Sequence, residues 1–145
     1  MHRLKLTYFD FDGGRGEPAR LIMRFANIDF KDDRIAIADW PQIKTDYRYH
    51  QLPELEVDGT VLTQTNAINR FVGKLAGLYP TDNWQAALCD EIIDTADDAL
   101  QLIARTFSMS EEDKKVAREA AVAGPLPMFL AGLNSALLAV VVSIL

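Results

Sequence analysis

The 145-residue chain has one cysteine, two histidines, and no charged residue after Glu119. Each scarcity closes off a class of chemistry. Cys89 has no partner in the chain, so there is no disulfide framework, and without a Cys-x-x-Cys pair the usual thiol-disulfide oxidoreductase is excluded. His2 and His50 cannot fill a zinc shell alone. No cluster of Lys and Arg offers a basic face to displace counterions from a phosphate backbone, so nucleic acid is not an expected partner. Met1-His-Arg-Leu-Lys lacks the apolar core of a secretion signal, and neither an internal repeat nor a low-complexity tract is present. A cytoplasmic protein is the expectation.

What is present suits a buried core, with 49% hydrophobic and 25% charged residues. The net charge of -6 is unevenly placed. Residues 1–80 carry 11 Lys and Arg against 11 Asp and Glu, whereas residues 81–145 carry 4 against 10. The last 26 residues have no charge at all.

Arg3-Leu-Lys-Leu-Thr-Tyr-Phe9 alternates polar and apolar, which predicts a strand with Leu4, Leu6 and Tyr8 on one face. Gly13-Gly-Arg-Gly16 breaks the chain, and Glu17-Pro18 starts a helix expected to bury Leu21, Ile22 and Phe25. Asn27 ends it. Phe30 to Ile37 reads as a second strand, parallel to the first because a helix connects them. Asp39 to Lys44 is a short helix or turn. Leu55-Glu-Val57, Asp58-Gly59 and Val61-Leu62 form a hairpin, since Asp-Gly supplies the positive φ angles of a two-residue turn. A helix from Thr65 to Leu75 carries Ile68, Phe71, Val72 and Leu75 on one stripe and stops at Gly77. The order is β-α-β-α-β-β-α.

Residues 78–83 read as a connector between domains over 1–79 and 84–145. Trp84 to Phe107 is a long helix with Leu88, Ile92, Ile93, Ala96, Leu100 and Ile103 at spacings of three and four. Ser110-Glu-Glu-Asp113 is a capping box with Asp in place of Glu, and Gly124-Pro-Leu-Pro127 stops the helix it opens. The segment beyond is too uniformly apolar for a buried face to be assigned.

Three stretches resemble the cytosolic glutathione transferases, in particular the sigma-like branch with a catalytic tyrosine: Lys5-Leu-Thr-Tyr-Phe9 with Gly-Arg-Gly-Glu17; Asp39-Trp-Pro-Gln-Ile-Lys44 followed by Leu52-Pro-Glu-Leu-Glu-Val-Asp-Gly59; and Gln64-Thr-Asn-Ala-Ile68. The resemblance implies an α/β thioredoxin-like N-terminal domain followed by an all-α C-terminal domain. By that resemblance the C-terminal domain is incomplete here, because only about half the expected helices fit in the residues after Asn83. It also implies glutathione as cosubstrate with no separate cofactor, a small electrophile as the other substrate, and a homodimer.

A glutathione thiol is only slightly ionised at neutral pH, with a reference value near 8.5, and lowering it by about two units takes roughly 2.7 kcal/mol of preferential thiolate stabilisation. The resemblance assigns that task to Tyr8, whose hydroxyl would donate to sulfur, with Arg15 supporting the thiolate or the turn. Gly13-Gly14 places one residue more than the family pattern before that arginine. Leu52-Pro53 matches the family's cis-proline step, which offers backbone to the cysteine of glutathione. Gln64 and Thr65, at a helix start where N–H groups favour an anion, match the site of the γ-glutamyl carboxylate. Trp40 and Lys44 match residues over the glycine end, and Gln51 stands where relatives place a polar or basic contact. Asp94, Asp97 and Asp98 share a helix face, and Asp97 matches an aspartate that reaches the γ-glutamyl amino group from the neighbouring subunit. Three carboxylates without other ligands do not amount to a metal site, so no metal is expected.

Three readings follow. The first is a glutathione transferase acting in detoxification and glutathione metabolism. The second is a glutathione-binding or structural relative without catalysis, suggested by the shortened helical part. The third takes residues 126–145 as a membrane anchor, against which stand Pro127, Asn134, Ser135 and the lack of a following Lys or Arg. The tail is therefore read as a helix made for a helical core, and a membrane is not an expected partner.

Overall fold

A computed structural model describes residues 2–144, with side chains described through Leu138. The chain divides into two compact units, Met1–Thr81 and Asp82–Leu145.

The first unit contains β1 (Leu4–Phe9), α1 (Glu17–Phe25), β2 (Lys31–Ile35), α2 (Trp40–Ile43), β3 (Glu54–Val57), β4 (Thr60–Thr63) and α3 (Thr65–Leu75). The four strands form one sheet in the order β2-β1-β3-β4. β1 pairs parallel with β2, Leu6 opposite Asp32, and antiparallel with β3, Leu6 opposite Leu55. The helical crossover thus gives the parallel pair expected. Asp58 and Gly59 take φ of 51° and 90°, and this two-residue turn joins β3 to β4. Gly77, at φ 69°, stands just beyond α3.

Alternation along β1 sends Leu4 and Leu6 into a core completed by Ala19, Met23, Leu55, Ile68 and Val72. Each fully buried Leu, Ile or Met contributes about 1.5–3 kcal/mol. On the opposite face of β1, the Thr7 hydroxyl donates to Asp33 at 3.1 Å. Lys5 and Glu56, directly opposite across β1 and β3, form an ion pair at 2.8 Å.

The buried face of α1 differs from the sequence expectation. Ala19, Arg20 and Met23 are buried and Ile22 packs beside them, whereas Leu21 and Phe25 are 57% and 76% exposed. The inward face also carries Arg20, each of whose guanidinium nitrogens has an acceptor inside the unit. β2 is also shorter than the strand read from Phe30 to Ile37.

The second unit is helical: α4 (Asn83–Ala104), α5 (Glu111–Ala123) and α6 (Pro125–Ile144). Asp82 caps α4, accepting from the N–H groups of Trp84 and Gln85 at 3.1 and 3.0 Å. α4 stops at Ala104, short of the expected Phe107, where a turn carries Thr106 into a buried position. The Thr106 hydroxyl donates to the Ile103 carbonyl at 2.7 Å and accepts from Arg118 Nε of α5 at 3.1 Å. Along α4 the residue with a buried side chain is Ala99, while Ala96 is exposed. Half-buried Leu126, Phe129, Leu133 and Ala136 of α6 recur at spacings of three and four, a stripe that uniform apolarity conceals in the sequence. Thioredoxin-like sheet followed by helical unit is the architecture.

Among the described residues no single helix is long and apolar enough to cross a membrane. α5 with residues 125–138 of α6 reaches that threshold only as a pair bent by 46°.

Candidate functional site

Tyr8 is 6% exposed near the end of β1. Its hydroxyl oxygen accepts the Arg15 backbone N–H at 3.0 Å, which leaves its own O–H hydrogen for another acceptor. The loop that brings Arg15 back depends on Gly13 and Gly14, at φ of 111° and 64°. A Cβ on Gly14 would stand 2.7 Å from the Tyr8 hydroxyl, and one on Gly16 would overlap the ring. Phe9 and Phe11 flank the phenol with ring centroids at 5.2 and 5.7 Å.

Next to this loop lies an open recess lined by Arg15, Arg48, Tyr49, Gln51, Leu52, Pro53, Thr63, Gln64 and Thr65. The Leu52–Pro53 peptide is cis. Gln64 is the N-cap residue of α3 with φ 74° and no side-chain capping bond, and Thr65 is the first helical residue rather than the cap. Backbone N–H groups at this helix start and two arginines give the recess a preference for carboxylates.

Of the residues singled out in the sequence, Arg15, Gln51, Leu52, Pro53, Gln64 and Thr65 meet in this recess. Tyr8 adjoins it through Arg15. Trp40 and Lys44 are outside the lining: Trp40 stands edge-on to Phe9 at 5.4 Å and against Tyr47 at 5.4 Å, while Lys44 is exposed in the 3₁₀ turn after α2. Burial, with Asp33 and Glu54 nearby, pushes the Tyr47 phenol above its ordinary value. Asp97 lies in the middle of α4, half-buried, with Asp94 and Asp98 exposed. Among the described residues no group of three or more His, Cys, Asp and Glu could hold a metal ion.

Arg48 and Tyr49 escaped the sequence reading. They reach the recess because Tyr49 and His50 both take left-handed backbone, φ 58° and 50°, where no glycine signals the bend. Arg20 escaped too, although its spacing from Glu17, three residues on a helix, hints at a pair. Asp32 receives both Arg20 and Arg34. Burial works against its ionisation, but those hydrogen bonds outweigh burial and hold its carboxyl below the usual range.

Residues 4–74 match the glutathione S-transferase N-terminal domain. Over 127 residues the chain is 42% identical to glutathione S-transferase 1 of Ascaris suum, covering 84% of this chain and 61% of that protein. Over 120 residues it is 38% identical to hematopoietic prostaglandin D synthase of Gallus gallus, covering 83% of this chain and 58% of that protein. The chain spans about three fifths of the length of these curated relatives. The solved structure of prostaglandin synthase D of Nilaparvata lugens superposes with a TM-score of 0.85 at 38% identity, over 92% of this chain and 67% of that one. A four-stranded sheet with its helices, a helical second unit and these identities converge: the chain belongs to the glutathione S-transferase family.

Proposed function

We propose that the chain binds glutathione in the recess of its first unit and that Tyr8 stabilises the thiolate for attack on an electrophile. The observation that carries this reading is the Tyr8 hydroxyl, pinned through its oxygen by Arg15 N–H and still able to donate, beside a recess lined by Arg15, Arg48 and the start of α3. Glutathione presents two carboxylates and one thiol, and the recess offers Arg15, Arg48 and the α3 N-terminus for the former. The thiol proton leaves to solvent, sulfur forms a bond to the electrophilic carbon, and that carbon's leaving group departs or its π bond accepts the electrons. No nucleophilic side chain of the protein is consumed.

In the full reading the chain acts as a cytoplasmic homodimer in detoxification, and Asp97 of the partner subunit binds the γ-glutamyl amino group. Trp40 and Lys44 close over the glycine end, and Gln51 and the Leu52 backbone hold the peptide.

The deciding experiment compares wild type and Tyr8→Phe for glutathione binding by calorimetry and for conjugation of 1-chloro-2,4-dinitrobenzene at neutral pH. Binding is expected to persist within about threefold while turnover falls at least about tenfold, as for loss of a transition-state hydrogen bond. Equal turnover rejects the role of Tyr8. Binding by wild type without any turnover favours a glutathione-binding protein that does not catalyse. Asp97→Ala, with sedimentation run alongside, tests the dimer contact: weaker glutathione binding in an intact dimer is expected, and a monomeric wild type rejects it.

A further inference from the structure

The side chain of Arg20 has no exposed surface, and a buried guanidinium of this kind needs a full set of acceptors. Nε donates to Asp32 at 2.8 Å, one terminal nitrogen donates to the Phe11 carbonyl at 3.1 Å and to Glu17 at 3.3 Å, and the other donates to the Phe9 carbonyl at 3.3 Å. The guanidinium carbon stands 5.7 Å from the centroid of the Tyr8 ring. These partners are not scattered. Phe9 and Phe11 begin the loop that ends at Arg15, and the Glu17 oxygen that meets Arg20 also accepts the Gly13 N–H at 3.2 Å.

One planar fork therefore grips the loop at its start and, through Glu17, at its middle, while Asp32 fixes the fork to β2. Arg34 secures Asp32 from the other side at 3.0 Å and reaches Asp12 of the same loop at 3.1 Å. The loop needs such support because two successive positive-φ glycines give it little stiffness of its own.

We propose that Arg20 is the positioning residue of the Tyr8 site: its buried guanidinium holds the loop whose Arg15 N–H fixes the Tyr8 hydroxyl oxygen. The catalytic consequence rests on the role given to Tyr8 above. The geometric claim does not. A lysine supplies the charge and three donors from a single point, but not the planar fork whose three nitrogens separately reach Asp32, the Phe11 carbonyl with Glu17, and the Phe9 carbonyl.

Amide exchange followed by NMR tests this. Tyr8→Phe removes the Arg15 N–H acceptor and is expected to speed exchange of that amide by at least about tenfold. Arg20→Lys should reproduce that acceleration while the Leu6 amide, in the middle of β1, exchanges as in wild type. An Arg15 amide at its wild-type rate in folded Arg20→Lys overturns the inference. Should Arg20→Lys fail to fold, Glu17→Ala is read instead, because it leaves Arg20 its Asp32 and carbonyl partners and removes the tie to Gly13. Faster Gly13 and Arg15 exchange is expected there, and unchanged rates overturn the proposal. Ultraviolet titration of the bound glutathione thiol gives the catalytic consequence: Arg20→Lys should titrate at higher pH than wild type. If Tyr8→Phe leaves that titration unmoved, the catalytic reading of Tyr8 falls, and the amide rates still decide the role of Arg20.

Discussion

Tyr8 has almost no freedom. Gly14 and Gly16 exist where a methyl group would strike its hydroxyl and its ring, and two phenylalanines close the sides. Gly16→Ala is therefore expected to lower stability by about 1–3 kcal/mol, the range for overpacking a filled site, measured as the urea unfolding free energy. A variant within experimental error of wild type would show that the ring can move aside. At this scale the sequence was informative in part. Tyr8 and Leu52-Pro53 stood out because neighbouring residues formed a recognisable string, and six of the residues singled out meet in one recess. Arg20 did not stand out, because a buried arginine on a helix looks like a surface one until its four acceptors, spread from Phe9 to Asp32, are brought together.

Local chemistry decides the elements whose boundaries were legible. Asp58-Gly59 makes its turn, α3 spans the residues its stripe marks, and Ser110 caps α5 by accepting the Asp113 N–H at 3.2 Å. The short Asp side chain does not return to the backbone as Glu does in the usual box. Instead the Ser110 hydroxyl donates to it at 2.7 Å. Ser110→Ala should cost about 1 kcal/mol, read from the thermal unfolding of the chain, and an unchanged midpoint would show that α5 contributes nothing to the measured transition. The elements misread were those governed from a distance. Leu21 and Phe25 satisfy a helical stripe as well as Ala19 and Met23 do, and the face that turns inward is the one that joins the core and also brings Arg20 to its acceptors.

At the scale of the molecule, several carboxyls are held below their ordinary range, among them Asp32 as described, Glu56 by Lys5, Asp58 by His2 and the Arg3 N–H, and Glu111 by Lys114. Because each binds its proton less readily folded than unfolded, its stabilisation is complete above its unfolded value, about 4, and is lost as pH falls through its lower folded value. The urea midpoint should therefore drop between about pH 5 and pH 3. Salt should weaken the exposed pairs of Asp58 and Glu111 more than the enclosed ties of Asp32. Equal midpoints at the two pH values would contradict this account. One feature at the edge of the recess runs the opposite way, since Tyr49 and His50 hold left-handed backbone at a cost of about 1–2 kcal/mol each for residues bearing a Cβ. His50 is exposed and absent from the recess lining, so His50→Gly should raise the melting temperature, and a fall would mean that its side chain repays the strain. That position is a reserve: a single substitution there could offset a destabilising change elsewhere, widening the range of sequences that this fold tolerates.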